Sequence, residues 1–299
     1  MKQYYKYKRT DRKDGWRVSN IDPLMSMIPF FLRSRTESQV AYRQVIELET
    51  ADNFIKELKP KYPEINITIV VVAALVRMLA TRPYINRFVI NNKLYARNSI
   101  KLALAVKQNM SDDAPENMSM TEFEPEDTIF DVMEKFSKSI ESNRVDDVST
   151  GTNKAMSILK KFPSFLFRFA VKVLFFLDKH GWLPKTLINI SPWHCTGFIT
   201  SMGSIGVDSV YHHLYEFGTS SFFVSIGMKS KNYVMNEEEN LVPKRSIEFK
   251  FVIDERICDG FYYGKSMRQF MRIMNNPYQL LEPPEEVIVD NGVGRERIN

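Results

Sequence analysis

The sequence predicts an α+β fold, a mixed sheet flanked by helices, and three stretches carry that expectation. Residues 67–79 are almost wholly apolar up to Arg82-Pro83, which predicts a helix buried on most sides and stopped by the proline. Residues 128–140 repeat Ile129, Val132, Met133, Phe136 and Ile140 at helical spacing, so one face of that helix is core. Residues 246–253 alternate Ile247, Phe249, Phe251 and Ile253 against Glu248 and Lys250, the period of a strand with one buried face.

The remaining elements fall between these. Thr50 is the expected cap of a short helix ending before Pro60. Residues 87–90 and 93–96 flank Asn91-Asn92 as a hairpin flanks its turn, and residues 100–106 predict a third strand beside it. Further strands are expected at 197–202 and 221–227, and a last helix over 262–274 ends before Asn276-Pro277. No repeat or long linker divides 18–285, so that span reads as one domain between a basic arm, 1–17, and a tail, 286–299. The Pro-rich acidic segment from Glu282 is expected to be loosely ordered.

Charge and cysteine usage narrow the function classes. The formal net charge is +5, and residues 1–17 alone hold seven Lys or Arg against Asp11 and Asp14, which equals the whole excess. Tyr4, Tyr5, Tyr7 and Trp16 interleave that arm, a mixture able to bind phosphates and stack bases. The other 282 residues are balanced and carry no helix-turn-helix, finger or ribonucleoprotein pattern, so nucleic acid is not the expected partner. Two cysteines, Cys195 and Cys258, and a start without an apolar run argue against a disulfide framework and point to the cytoplasm. His180, His194, His212 and His213 show no metal-ligand spacing.

The chemistry-bearing stretch is the buried strand that runs into Asp254-Glu255-Arg256-Ile257-Cys258-Asp259-Gly260 and then a helix. It resembles the His-x-x-x-Asp-Gly motif of dihydrolipoyl acyltransferases and chloramphenicol acetyltransferases, with Glu255 in the histidine's place. Residues 197–206, Gly-Phe-Ile-Thr-Ser-Met-Gly-Ser-Ile-Gly, resemble the segment in which a strand of that family carries a hydroxyl into a glycine-bounded turn. Thr200 is the best match and Ser201 lies one position off. The resemblance spans most of residues 30–275 and implies a chloramphenicol acetyltransferase-like, trimer-forming domain that uses acyl-coenzyme A as substrate, without a metal. No lipoyl or subunit-binding segment is seen upstream, so a place in a giant dehydrogenase complex is not expected. In the family the hydroxyl stabilises the tetrahedral intermediate, which assigns Thr200 or Ser201 that role. The family ties the motif's Asp to an N-terminal arginine, which here means Asp259 with Arg33 or Arg35 as structural partners, beside Gly260.

The substitution at position 255 decides how the chemistry is read. A carboxylate of reference pKa about 4.3 facing a thiol of about 8.5 is too weak a base by roughly 6 kcal/mol. Burial raises a carboxyl, and Phe251, Ile253 and Ile257 suggest an apolar setting for Glu255. The alternative is that Glu255 pairs with an arginine, Arg33 or Arg35, or caps the turn, and does no chemistry. Arg256 lies on the opposite face of an extended strand and need not be its partner. His212 and His213 are second candidates for the base, in a segment resembling the family's acceptor pocket. Two readings follow, an acyltransferase acting on coenzyme A thioesters and an unknown small acceptor, and a catalytically silent homotrimer that binds a ligand or partner.

Residues 162–177 are the most hydrophobic stretch, but with Arg168 and Lys172 they are too short to span a bilayer. Lys161, Arg168, Lys172 and Lys179 fall within about 40° of one another on a helix. That stripe suits either a helix packed on its own domain or a trimer partner with its charges in solvent, or peripheral contact of residues 161–179 with an anionic membrane.

Overall fold

The computed structural model describes residues 8–19, 21–107, 116–145, 163–236 and 238–290. Among these residues nine strands form two sheets. The larger has the order β2-β9-β8-β7-β5-β6, and the smaller the order β1-β4-β3. In the larger, β2 (Gln39–Glu47), β9 (Leu241–Asp254) and β8 (Phe222–Met235) run antiparallel to one another. β7 (Gly197–Ser201) lies parallel to both β8 and β5 (Ile100–Lys107), and β6 (Glu116–Phe123) closes the far edge antiparallel to β5. A sheet with parallel strands in its middle needs cover on both faces, and it has it.

Seven α-helices accompany the sheets among the described residues: α1 (Pro23–Phe31), α2 (Glu49–Leu58), α3 (Ile67–Thr81), α4 (Ile129–Val145), α5 (Ser164–Lys179), α6 (Lys185–Ile190) and α7 (Gly260–Asn275). α3 is the central one. Asn66 caps it by accepting from the Ile69 N–H at 3.2 Å, and every residue from Ile69 to Ala80 is buried. Its apolar surface and those of α4 and α7 pack on one face of the large sheet with Ile199, Val224, Ile226, Phe249, Phe251 and Ile253. Each such side chain, fully buried, contributes about 1.5–3 kcal/mol. The opposite face carries a smaller cluster of Ala103, Cys195, Phe198, Leu214, Phe223 and Val252.

The expected hairpin is β3 (Arg87–Ile90) and β4 (Lys93–Arg97), and Asn91 and Asn92 adopt positive φ of 52° and 55° in its turn. Its third strand is not β5, which belongs to the large sheet. It is β1 (Gly15–Arg17), paired through Gly15 with Arg97. The basic arm expected over 1–17 is therefore part of the fold from Arg12 onward. Arg12 is buried, with Nε 2.9 Å from Asp14 Oδ1 and Nη2 2.7 Å from Asp178 Oδ1. A sequence pattern sees charge there, whereas the fold pairs it across 166 residues.

Three other expectations change. α2 starts at Glu49 without a side-chain cap, so Thr50 sits inside its first turn. The segment after Glu282 is docked: Arg77 donates to the Glu282 carbonyl, Ile288 N–H to the Ala80 carbonyl at 2.9 Å, and Arg87 grips Asp290 through Nε at 2.6 Å and Nη2 at 2.9 Å. The described part of the expected tail, up to Asp290, is thus a strap across the end of α3. α5 rests on the domain along one side only, and Asp178 is its one buried residue. Lys161 and Phe162 lie outside the described residues.

Asp290→Ala leaves the Arg87 guanidinium buried without its partner and should cost about 3–5 kcal/mol in urea unfolding. Acid should act through Asp178. Burial pushes its carboxyl up, but His194 and Arg12 outweigh burial and hold it below its ordinary value. Its contribution is complete above the unfolded value of about 3.9 and is lost as pH falls through the lower folded value. Between about pH 5 and pH 2 the stability of Asp178→Asn should fall less steeply than that of the wild type, measured by urea midpoints.

Candidate active site

β7 is held on both sides by parallel partners, so its alternation fixes where each side chain points. Phe198 and Thr200 share one face of the sheet, and Ile199 and Ser201 the other. The turn that follows is pinned to β8. A Cβ on Gly203 would stand 2.5 Å from the Gly227 carbonyl oxygen, and Gly206 closes the turn at φ 73°. Thr200 is half-buried, and among the described residues its hydroxyl reaches nothing stronger than Met202 Sδ, 3.9 Å away. A donor so weakly engaged is free for a ligand.

Thr200 faces Ser225 on β8, which faces Lys250 on β9. Ser225 Oγ accepts from the Val210 N–H at 3.0 Å. Lys250 Nζ lies 3.1 Å from Glu248 and donates to the Ser209 carbonyl at 2.8 Å, while Ser209 Oγ donates to Glu248 at 2.8 Å. Burial opposes the charge on Glu248, but Ser209, Lys250 and Arg43 hold it below the usual carboxylate range. The loop 207–219 is thus tied over this face by polar contacts. His212 belongs to the same cover. Its ring stacks on Phe223 at 4.1 Å and on His213 at 4.5 Å, and its Nδ1 is 2.7 Å from the His213 carbonyl. Phe223 is two residues from Ser225, so His212 sits on the Thr200 face, while His213 is exposed beside Tyr215.

At the other end, β9 stops in a 3-10 turn, Glu255–Ile257, and α7 begins. The Asp254 side chain accepts from Arg256 Nε at 2.8 Å and Nη2 at 2.7 Å, both residues being buried, and Arg256 Nη1 donates to the Leu32 carbonyl at 3.2 Å. The Glu255 N–H donates to the Ser38 carbonyl at 2.8 Å. Asp259 caps α7, accepting from the Tyr262 N–H at 2.8 Å, and Gly260 opens the helix. The apolar neighbours Phe251, Ile253 and Ile257 point into the core, and Glu255 is exposed. The apolar setting expected for Glu255 does not exist within one chain.

The arginines also serve otherwise than expected. Arg35 is buried and donates to the carbonyls of Glu216 at 2.8 Å, Gly218 at 2.7 Å and Val89 at 3.1 Å, not to Asp259 or Glu255. Arg33 is exposed, and its backbone N–H donates to Glu37 at 3.0 Å. The pair that organises the turn, Asp254 with Arg256, was missed by sequence reasoning. The signal available was an aspartate two residues ahead of an arginine where an apolar strand ends. The thiols of Cys195 and Cys258 are free and buried, which pushes them up to about 11 and about 12, out of reach as nucleophiles near neutrality.

The strand register brings Thr200 and His212 onto one face but keeps Thr200 and Glu255 apart. Thr200 is level with Lys250, and Glu255 lies five residues beyond Lys250, just past the end of β9 and two strands across. At ordinary strand rise and spacing that is about 19 Å. No single chain can close a site on both.

No family model matches the sequence, and no curated protein matches it significantly. The structure is similar to that of a probable dihydrolipoamide acetyltransferase from Listeria monocytogenes, at 11% identity and TM-score 0.55 over 90% of this chain and 97% of that one. It is similar to Azotobacter vinelandii dihydrolipoamide acetyltransferase, in which the roles of a serine, a histidine and an asparagine in the catalytic mechanism were investigated, at 10% identity and TM-score 0.55 over 86% and 88% of the chains. It is also similar to a chloramphenicol acetyltransferase, at 8% identity and TM-score 0.52 over 86% and 99%. The chain has the fold of the dihydrolipoamide acetyltransferase catalytic core and of chloramphenicol acetyltransferase, a mixed sheet flanked by helices.

Proposed function

We propose that this protein is an acyltransferase that moves an acyl group between coenzyme A and a small acceptor, working as a homotrimer whose sites lie between neighbouring copies. The observation that carries the reading is the separation of Thr200 from Glu255 by two strands and five residues on one sheet, on a fold that acyltransferases use. A rotational assembly that sets the β7 end of one copy against the β9 end of the next would unite the two residues once per interface.

In that site the acceptor thiol or hydroxyl gives its proton to Glu255 and attacks the thioester carbonyl. The oxyanion of the tetrahedral intermediate takes a hydrogen bond from the Thr200 hydroxyl, the carbon–sulfur bond breaks, and the leaving thiolate recovers the proton from Glu255. Glu255 is exposed in one chain, and in this reading a neighbouring copy covers it. Asp254, Arg256 and Asp259 act by holding the turn. The second reading, a silent homotrimer that binds a ligand or partner, is favoured by the exposed carboxylate at position 255.

Light scattering should give about three times the 34.9 kDa chain; a monomer at micromolar concentration removes the shared site. With an acyl-coenzyme A donor, turnover should vanish in Glu255→Gln and increase in Glu255→His, whose imidazole is the better base. Full activity in Glu255→Gln with loss in His212→Ala would move the base to the histidine pair. Thr200→Val keeps the β-branched shape and removes the donor, so turnover should fall on the order of a hundredfold with coenzyme A affinity unchanged. Ser201→Ala, on the opposite face, should be mild. Coenzyme A binding by calorimetry without transfer to any acceptor would support the silent trimer.

A further inference from the structure

Among the described residues, nothing covers the outward side of α5. Its half-buried residues, Phe167, Ala170, Val171, Leu174 and Leu177, with buried Asp178, span an arc of about 120° that rests on the domain. Phe165, Leu166, Phe169, Val173 and Phe176 span another arc of about 100° that faces outward. Phe165 is 69% exposed and Phe169 65%, values foreign to a helix that has found its packing partner. Along one margin of that apolar arc run Arg168, Lys172 and Lys179, within about 40° of each other. None of the three pairs with a carboxylate among the described residues. The sole acidic residue of the helix, Asp178, is turned inward, 2.7 Å from Arg12 and 3.2 Å from His194.

We propose that α5 is an in-plane anchor that seats this protein on an anionic phospholipid bilayer, its phenylalanines among the acyl chains and its basic stripe among the headgroups. Three properties select this occupant. Sixteen residues extend about 24 Å, less than a bilayer core, and no helix among the described residues is long and apolar enough to cross a membrane, so the helix lies along the surface. The helix offers cations and apolar side chains outward while its one acid is buried, which a lipid interface complements in both respects. A second copy presenting the same face would set three cations against three. Trp182, 61% exposed just beyond the helix, is the residue type that favours the headgroup level. The Asp178 contacts clamp the C-terminal end of α5 to the domain, so the docked face has a fixed orientation. Phe176 and Lys179 also line a cleft of about 360 Å³ with Arg33 and Arg256, which places the docked face on the side of the molecule that carries the Glu255 turn.

The test is flotation of the full chain with vesicles of phosphatidylcholine alone and of phosphatidylcholine with about one third phosphatidylserine. The wild type should float with the anionic vesicles, remain soluble with the neutral ones, and be released by about 0.5 M salt. Phe165→Ser with Phe169→Ser, and separately Arg168→Gln with Lys172→Gln, should each weaken binding at least about tenfold. All four residues are exposed, so both variants should keep the wild-type circular dichroism and melting midpoint. A wild type that stays soluble with both vesicles overturns the proposal, as does equal binding to neutral and anionic ones. A phenylalanine variant whose assembled mass falls by light scattering would assign this face to a contact between copies and overturn it equally.

Discussion

The register of three strands governs everything else about this molecule. β8 runs parallel to β7 and antiparallel to β9, so Thr200, Ser225 and Lys250 stand in one row while β9 runs four residues past that row to Asp254 before the turn that carries Glu255. A one-residue slip would turn Phe198, Phe223 and Val252 from the small cluster into the main core and expel Ile199, Val224 and Phe251. Burial on both faces therefore locks the register, and the register locks the separation of the hydroxyl from the motif turn. Chemistry that needs both groups must be shared between copies.

The turn after β9 shows how one buried ion pair decides the character of a neighbouring side chain. Asp254 and Arg256 point inward and satisfy each other, and Arg256 reaches on to the carbonyl of Leu32. With the residues on either side of it turned in, Glu255 is turned out. Breaking such a pair by removing one partner typically costs about 3–5 kcal/mol, so the turn is stiff and Glu255 is presented in a defined place.

Buried arginines recur wherever the chain is fastened to itself. Arg12 ties the N-terminal segment to the end of α5, Arg35 gathers the carbonyls of Val89, Glu216 and Gly218, Arg77 and Arg87 bind the strap through Glu282 and Asp290, and Arg97 donates to the Thr219 carbonyl at 2.6 Å. A planar guanidinium with five donors suits this work, since it satisfies several buried acceptors from one position. Basic residues that could have bound a phosphate backbone are thereby used inside the fold, while the stripe on α5 remains outside it.

The sequence by itself determined the parts ruled by local patterning. The apolar run of α3, the Asn91-Asn92 hairpin, the alternation of β9 and the glycine-bounded turn after Thr200 each follow from a period or a turn preference that a few neighbouring residues express. The order of hydroxyl strand and Asp-Gly turn was legible too, and it carried the resemblance to the fold that the structure has. Only the tertiary structure decided what joins distant positions: Arg12 to Asp178, Arg87 to Asp290, Arg35 to carbonyls instead of Asp259, and the distance between Thr200 and Glu255. It also decided that α5 is exposed, because a helix with apolar residues on most of its circumference has the same pattern whether protein or lipid covers it. Local periods fix which face of an element is apolar; what meets that face is a property of the packed whole.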